Sequence, residues 1–268
     1  MHNQNSEKKQ ITENYDSLLL NLRVGAKINA ENQSVLSVNK NPLPFVVGCY
    51  GKSFDTIKED GLDHFYLIER NLTRVGYNGD ILRLYRSEND VLLKAKALFV
   101  PCISWAYIYA QSVGNAMVYT MHIEHDWLYY HDFCNNGLID IWTEAINNNE
   151  KNYILAFEAL NITQPECGIM PLLDVINGYR PFLERTKYGL PHNLKIFATM
   201  LPCNENEIVG LKLSKKLFKS WGTFAKPDKE EYFIHLVLNN AEKQYGYFKP
   251  DDLSYKMLEP GDSYFGIR

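Results

Sequence analysis

The sequence predicts an α/β or α+β fold, one domain in which a mixed, partly buried central sheet is flanked by helices. Three observations carry this expectation. Helical apolar periodicity alternates along the chain with short β-branched and aromatic runs. The charged fraction is only 22% against 46% hydrophobic residues, enough apolar material for a substantial core. No internal repeat, heptad array or low-complexity linker marks a boundary inside residues 11–268.

The first ten residues, MHNQNSEKKQ, are polar throughout and are expected to form a disordered tail. They lack the apolar stretch of a secretion signal. Residues 12–24 place Tyr15, Leu18, Leu19 and Leu22 at helical spacing, with Thr12 as N-cap and Gly25 as stop. Residues 34–38 and 44–50 read as strands. Phe45, Val46 and Val47 in the second have the unbroken apolar pattern of a buried strand.

That second strand runs into GCYGKS, the turn from Gly48 to Ser53. Glycines after a buried strand let backbone amides approach an anion, and Lys52 and Ser53 match the last two residues of a P-loop. The spacing between Gly48 and Gly51 is too short for a P-loop proper. The looser expectation is a strand–turn cradle for a nucleotide-like group formed by Gly48, Gly51, Lys52 and Ser53. Glu69, about 20 residues further on at the end of a strand over residues 63–69, would meet a ribose.

Residues 80–87 read as a half-buried strand and 89–99 as a helix broken by Pro101, with a further helix over 104–113. Residues 117–125 read as a strand, and 138–146, 152–160 and 169–184 as helices, the last bent or shortened by Gly178 and Pro181. Residues 194–200 return to strand character. A basic stretch with Lys212, Lys215, Lys216, Lys219, Lys226 and Lys229 around Trp221 and Phe224 is read as a solvated face; nucleic acid is the lesser expectation there. A helix over 230–243 and a turn-rich tail from Tyr245 complete the chain.

The densest chemistry lies in residues 117–134, MVYTMHIEHDWLYYHDFC. On a strand His122 and Glu124 share a face, and a carboxylate two residues from an imidazole can orient it and fix its tautomer. His125 and Asp126 follow at the strand end, giving a four-residue acid–base candidate: His122, Glu124, His125 and Asp126. The bland alternative is a satisfied histidine where a strand leaves the core. HxEH matches neither common zinc-protease spacing, so no metal is expected.

Five cysteines, all far apart, show neither metal nor redox spacing. Reduced thiols in a cytoplasmic protein are the simplest account. The longest apolar run, residues 97–110, contains Pro101 and is too short to span a membrane. A net charge of −4 and a pI near 6.0 give no global reason to expect a polyanionic partner.

Two classes of function follow. The preferred one is an enzyme with a pocket between the His122–Asp126 cluster and the Gly48–Ser53 turn, transferring a group on an anionic or nucleotide-like substrate, with hydrolysis second. The other is a non-catalytic interaction module, an effector, inhibitor or scaffold whose aromatic surface binds another protein.

Overall fold

The computed structural model describes residues 44–77, 79–87, 89–100, 102–163, 165–176, 179–182, 190–201, 203–204, 207–208, 222–223 and 245–253. The chain divides into two units, residues 1–40 and 41–268, and every described residue belongs to the second. The expected tail, the helix over 12–24, the strand over 34–38, the helix over 230–243 and all of the lysines from Lys212 to Lys229 lie outside the described residues.

In chain order the elements are β1 (Phe45–Val47), β2 (Lys52–Ser53), α1 (Phe54–Glu59), α2 (His64–Val75), α3 (Asp80–Ser87), α4 (Asn89–Lys94), β3 (Ala97–Phe99) and α5 (Ser104–Val113). They continue with β4 (Ala116–His122), α6 (Tyr130–Phe133), a π-turn (Cys134–Leu138), α7 (Ile139–Asn147), β5 (Asn152–Glu158), α8 (Pro165–Ile176) and β6 (Leu194–Ala198). Four two-residue strands follow: β7 (Cys203–Asn204), β8 (Glu207–Ile208), β9 (Gly222–Thr223) and β10 (Gly246–Tyr247).

The main sheet has the order β1-β4-β5-β6-β3-β9. β4, β5, β6, β3 and β9 run parallel, and β1 lies antiparallel to β4 at one edge. The fold is therefore α/β with a mixed sheet. Helices cover both faces, as a parallel sheet requires. One face presents Val118, Ile154, Ala156 and Phe197 to α2 and α5; the other presents Tyr119, Met121, Leu155, Phe157 and Ile196 to residues of α6, α7 and α8.

Several local expectations are corrected. Residues 63–69 are not a strand but the start of α2. Asp63 caps it by accepting the Tyr66 amide at 2.7 Å, Leu67, Ile68, Asn71, Leu72 and Val75 face inward at helical spacing, and Gly76 ends it at φ 112°. Residues 80–87 are likewise helical, with Ile81 and Tyr85 buried one turn apart. The helix over 89–99 stops at Lys94, and Ala97–Phe99 is a parallel strand.

Residues 152–160 are not a helix: Asn152–Glu158 is β5, buried on both faces between β4 and β6. A strand in that position shows no alternation, so its apolar run mimics a buried helix. The helix expected over 169–184 runs instead from Pro165 to Ile176. β1 is an edge strand with Val46 55% exposed, not a buried one. The strands over 117–125 and 194–200 and the helices over 104–113 and 138–146 are present, with ends within a few residues.

The segment Tyr245–Leu253 is held in the body by a buried polar clamp. Asn71 Nδ2 donates to the carbonyls of Ser112 (2.8 Å) and Gly246 (2.9 Å), while its Oδ1 accepts from the amides of Tyr245 (2.9 Å) and Gly246 (3.3 Å). The Phe248 amide donates to Val113 O, so two of the carbonyls left over at the end of α5 are satisfied from outside the helix. Phe248 itself is fully buried against Phe54 and His64. In the sheet interior, the fully buried Lys195 donates to the Leu92 carbonyl and lies over the rings of Tyr109 and Phe197. Burial holds its amine well below the ordinary lysine range. No helix among the described residues is long and apolar enough to cross a membrane.

Candidate functional site

Parallel strands bring their carboxyl ends to one edge of a sheet, and in open α/β folds ligands are received there. At this edge β3 hands over to α5 through Cys102 and Ile103, β4 ends at His122, β5 ends at Glu158 and β6 runs out through Thr199. β3 connects to β4 by α5 on one face, whereas β4 connects to β5 by α6 and α7 on the other. Along this edge the helix that follows β3 lies on one face, and the helices that follow β4 and β5 lie on the other.

His122 and Glu158 are direct cross-strand partners at this edge, and Nδ1 of the imidazole lies 3.2 Å from Oε2 of the carboxylate. Both side chains are partly exposed, at 59% and 42%. The other ring nitrogen, Nε2, has no hydrogen-bond partner among the described residues. Two residues below His122 on the same face, Thr120 Oγ1 bonds to Tyr107 OH of α5 at 2.8 Å. Burial raises the Tyr107 phenol above its ordinary pKa; the Thr120 hydrogen bond opposes this and the nearby Glu158 carboxylate adds to it. Tyr107, Thr120, His122 and Glu158 thus form one polar cluster on three elements.

The chain beyond Glu158 is locked. Ala159 adopts φ 60°, a left-handed conformation unusual for a residue with a Cβ. It is held by its amide donating to Thr199 Oγ1 at 3.1 Å and by the Leu160 amide donating to Thr199 O at 2.9 Å. Asn161 closes the same junction: Nδ2 donates to Leu201 O and Oδ1 accepts the Leu201 amide at 2.7 Å. Backbone strain of this kind costs about 1–3 kcal/mol and persists where surrounding contacts over-determine it. Here it fixes the direction in which β5 presents Glu158.

The imidazole's partner is thus Glu158, across the sheet, and not Glu124. β4 ends at His122, so Glu124, His125 and Asp126 are not on the strand but in the exposed turn after it. That turn is closed by the Trp127 amide donating to Glu124 O and the Leu128 amide donating to Asp126 O. The side chains of Glu124, His125 and Asp126 make no hydrogen bond or ion pair among the described residues.

The Gly48–Ser53 turn lies elsewhere. β1 is antiparallel to β4, and Gly48 O accepts the amide of Asn115, just before β4 begins. Six residues of β4 lie between that point and His122, a span of about 20 Å at strand rise. The single pocket expected between the turn and the histidine cluster is therefore not built by these residues. Gly51 has φ 76°, and a Cβ there would lie 2.2 Å from the Tyr245 carbonyl, so this glycine serves chain packing. Lys52 pairs with Asp60 at 3.4 Å and Ser53 Oγ with Thr56 Oγ1 at 3.1 Å. Glu69 is on α2 and pairs with Arg86 at 3.2 Å.

Cys102, at the mouth of the edge, is half-buried, and burial raises its thiol against hydrogen bonds from Ser104 and Trp105. A protonated thiol is a poor nucleophile. Residues 100–104, VPCIS, contain no glycine and no cation, so α5 is not preceded by a phosphate-wrapping loop. Among the described residues no three His, Cys, Asp or Glu side chains gather closely enough to hold a metal ion.

Comparison with known proteins adds little. No protein-family model matches the chain, and no curated protein matches it. Among solved structures, the chain is similar to one described as a putative ATPase from Cytophaga hutchinsonii, at 15% identity and a TM-score of 0.44. The likeness covers 74% of this chain and 64% of the other, so this chain spans less than two thirds of that protein.

Proposed function

We propose that this chain is an acid–base enzyme that transfers a group on a small anionic or nucleotide-like substrate received at the carboxyl edge of the sheet. The observation that carries the reading is the His122–Glu158 pair at the ends of two adjacent parallel strands. With Nδ1–H donated to the carboxylate, Nε2 keeps its lone pair and faces outward. It can take the proton of a hydroxyl as that oxygen bonds to the transferable group and the bond to the leaving group breaks; Glu158 stabilises the imidazolium that results, which returns the proton to the departing leaving group. Tyr107 and Thr120 supply hydroxyl groups for positioning. Water in place of the hydroxyl acceptor would make the same site hydrolytic.

The test is a thermal-shift screen of the full chain against nucleotides, S-adenosylmethionine and small phosphorylated acceptors, followed by turnover with each ligand that stabilises it. His122→Ala should lower turnover by about 10²–10⁴ and leave the fold intact. Unchanged turnover in that variant would refute the assignment. A second reading, a protein-interaction module, is favoured by the exposed Leu128 and Tyr129 of the loop beyond β4. Silence across the ligand panel would select it.

A further inference from the structure

A second site stands on α2, at the other end of α5 from the carboxyl edge. Arg70 and Arg74 are one helical turn apart and both lie over the ring of Tyr245, with guanidinium carbons 4.2 Å and 5.0 Å from its centroid. Arg70 also lies 5.4 Å from the Tyr66 ring and donates through Nη1 to Tyr66 OH at 2.7 Å. Neither guanidinium reaches a carboxylate among the described residues, although Lys52, Arg83 and Arg86 nearby in the chain each do. Like charges at this spacing repel on an isolated helix. The negative end of the helix offsets part of the Arg74 charge, but Arg70 stands a turn earlier.

The platform beneath these charges is rigid. Tyr245 is tied through its amide to the buried Asn71, and Gly246 and Tyr247 pair with β2. Apart from the Arg70 Nη1 bond to Tyr66, the N–H donors of the two guanidinium groups reach no carboxylate among the described residues, and arginine donors can bind an oxyanion in a forked manner. Two fixed positive charges match the near-double charge of a phosphate monoester.

We propose that Arg70, Arg74 and Tyr245 form a phosphate-binding site, separate from the His122–Glu158 edge, that receives a phosphate dianion, free or as the terminal phosphate of a monoester. The source is free phosphate or the phosphate of a nucleotide, and the two are separated by the probes. The full chain is titrated calorimetrically with inorganic phosphate, adenosine monophosphate and adenosine. Both phosphate-bearing probes should bind and adenosine should not; stronger binding of the monophosphate would identify a nucleotide as the source.

Arg70→Gln/Arg74→Gln should weaken phosphate at least about tenfold, and Arg70→Lys/Arg74→Lys, which keeps charge but loses the planar fork, should weaken it less. His122→Ala should leave phosphate affinity unchanged. The inference is overturned if no phosphate probe binds, if adenosine binds as well as its monophosphate, or if the glutamine variant keeps wild-type affinity while folded by circular dichroism. Loss of phosphate binding in His122→Ala alone would overturn it and leave the carboxyl-edge reading standing.

Discussion

Replacing Asn71 by alanine should be among the most damaging single changes in this protein. The side chain is fully buried and serves four backbone groups contributed by α5 and the segment Tyr245–Leu253. In Asn71→Ala the carbonyls of Ser112 and Gly246 and the amide of Tyr245 lose their partners together. A buried polar group left unsatisfied costs about 1–3 kcal/mol, and water entering the vacated volume recovers part of that. The expected loss is about 3–5 kcal/mol, a large share of the roughly 5–15 kcal/mol that holds a typical domain folded. Urea unfolding followed by circular dichroism measures it directly. Hydrogen exchange adds the location, since the amides of Tyr245, Gly246 and Phe248 should lose protection first. A loss below about 1 kcal/mol, with those amides still protected, would show that the clamp does not hold the segment.

Three further outcomes are expected. His64 is half-buried against Phe54 and Phe248, its shielded Nε2 has no hydrogen-bond partner among the described residues, and burial lowers its pKa, with Asp63 opposing and Lys58 adding. The unfolded chain therefore takes up this proton first, so stability present above about pH 6.5 should fall as the pH drops toward the folded pKa. His64→Phe should flatten that acid limb in a series of melting curves. In native alkylation mapped by mass spectrometry, exposed Cys49 should label first, half-buried Cys102 later and buried Cys134 only on unfolding; equal rates would contradict the burial. Tyr153, buried beside Glu144, has its phenol pushed up to about 12 by burial first and the carboxylate second. Stability should accordingly hold below about pH 10 and decline as the pH rises from there toward 12, a limb to which the raised phenols of Tyr77, Tyr107, Tyr119 and Tyr130 also contribute and which Tyr153→Phe should shrink.

The sheet was legible where residues alternate or helices are capped, and illegible where burial is two-sided. Val118, Thr120 and His122 alternate with Tyr119 and Met121, and the strand expected over 117–125 is present as β4, ending at His122. The run NYILAFE has no period, because β5 is covered on both faces, and it was read as helix. That single misreading hid Glu158: a carboxylate ending an apolar run of strand length is the signal that would have found it. Tyr107 was beyond reach, since its meeting with Thr120 depends on how α5 crosses the sheet. His122 stands out as a candidate from its own stretch, but pairing it with Glu124 requires a strand two residues longer than β4. In α2, Asp63 and Gly76 are readable as cap and stop, but residues 63–69 by themselves are too short a window to show the helical period.

The most direct test of the carboxyl-edge account is nuclear magnetic resonance mapping of the best-stabilising ligand from the screen. Shift changes should concentrate at Tyr107, Thr120, His122, Glu158 and Thr199, with the His122 changes lost in Glu158→Gln. Shifts confined to the Gly48–Ser53 turn, or a His122 response identical with and without the Glu158 carboxylate, would contradict it.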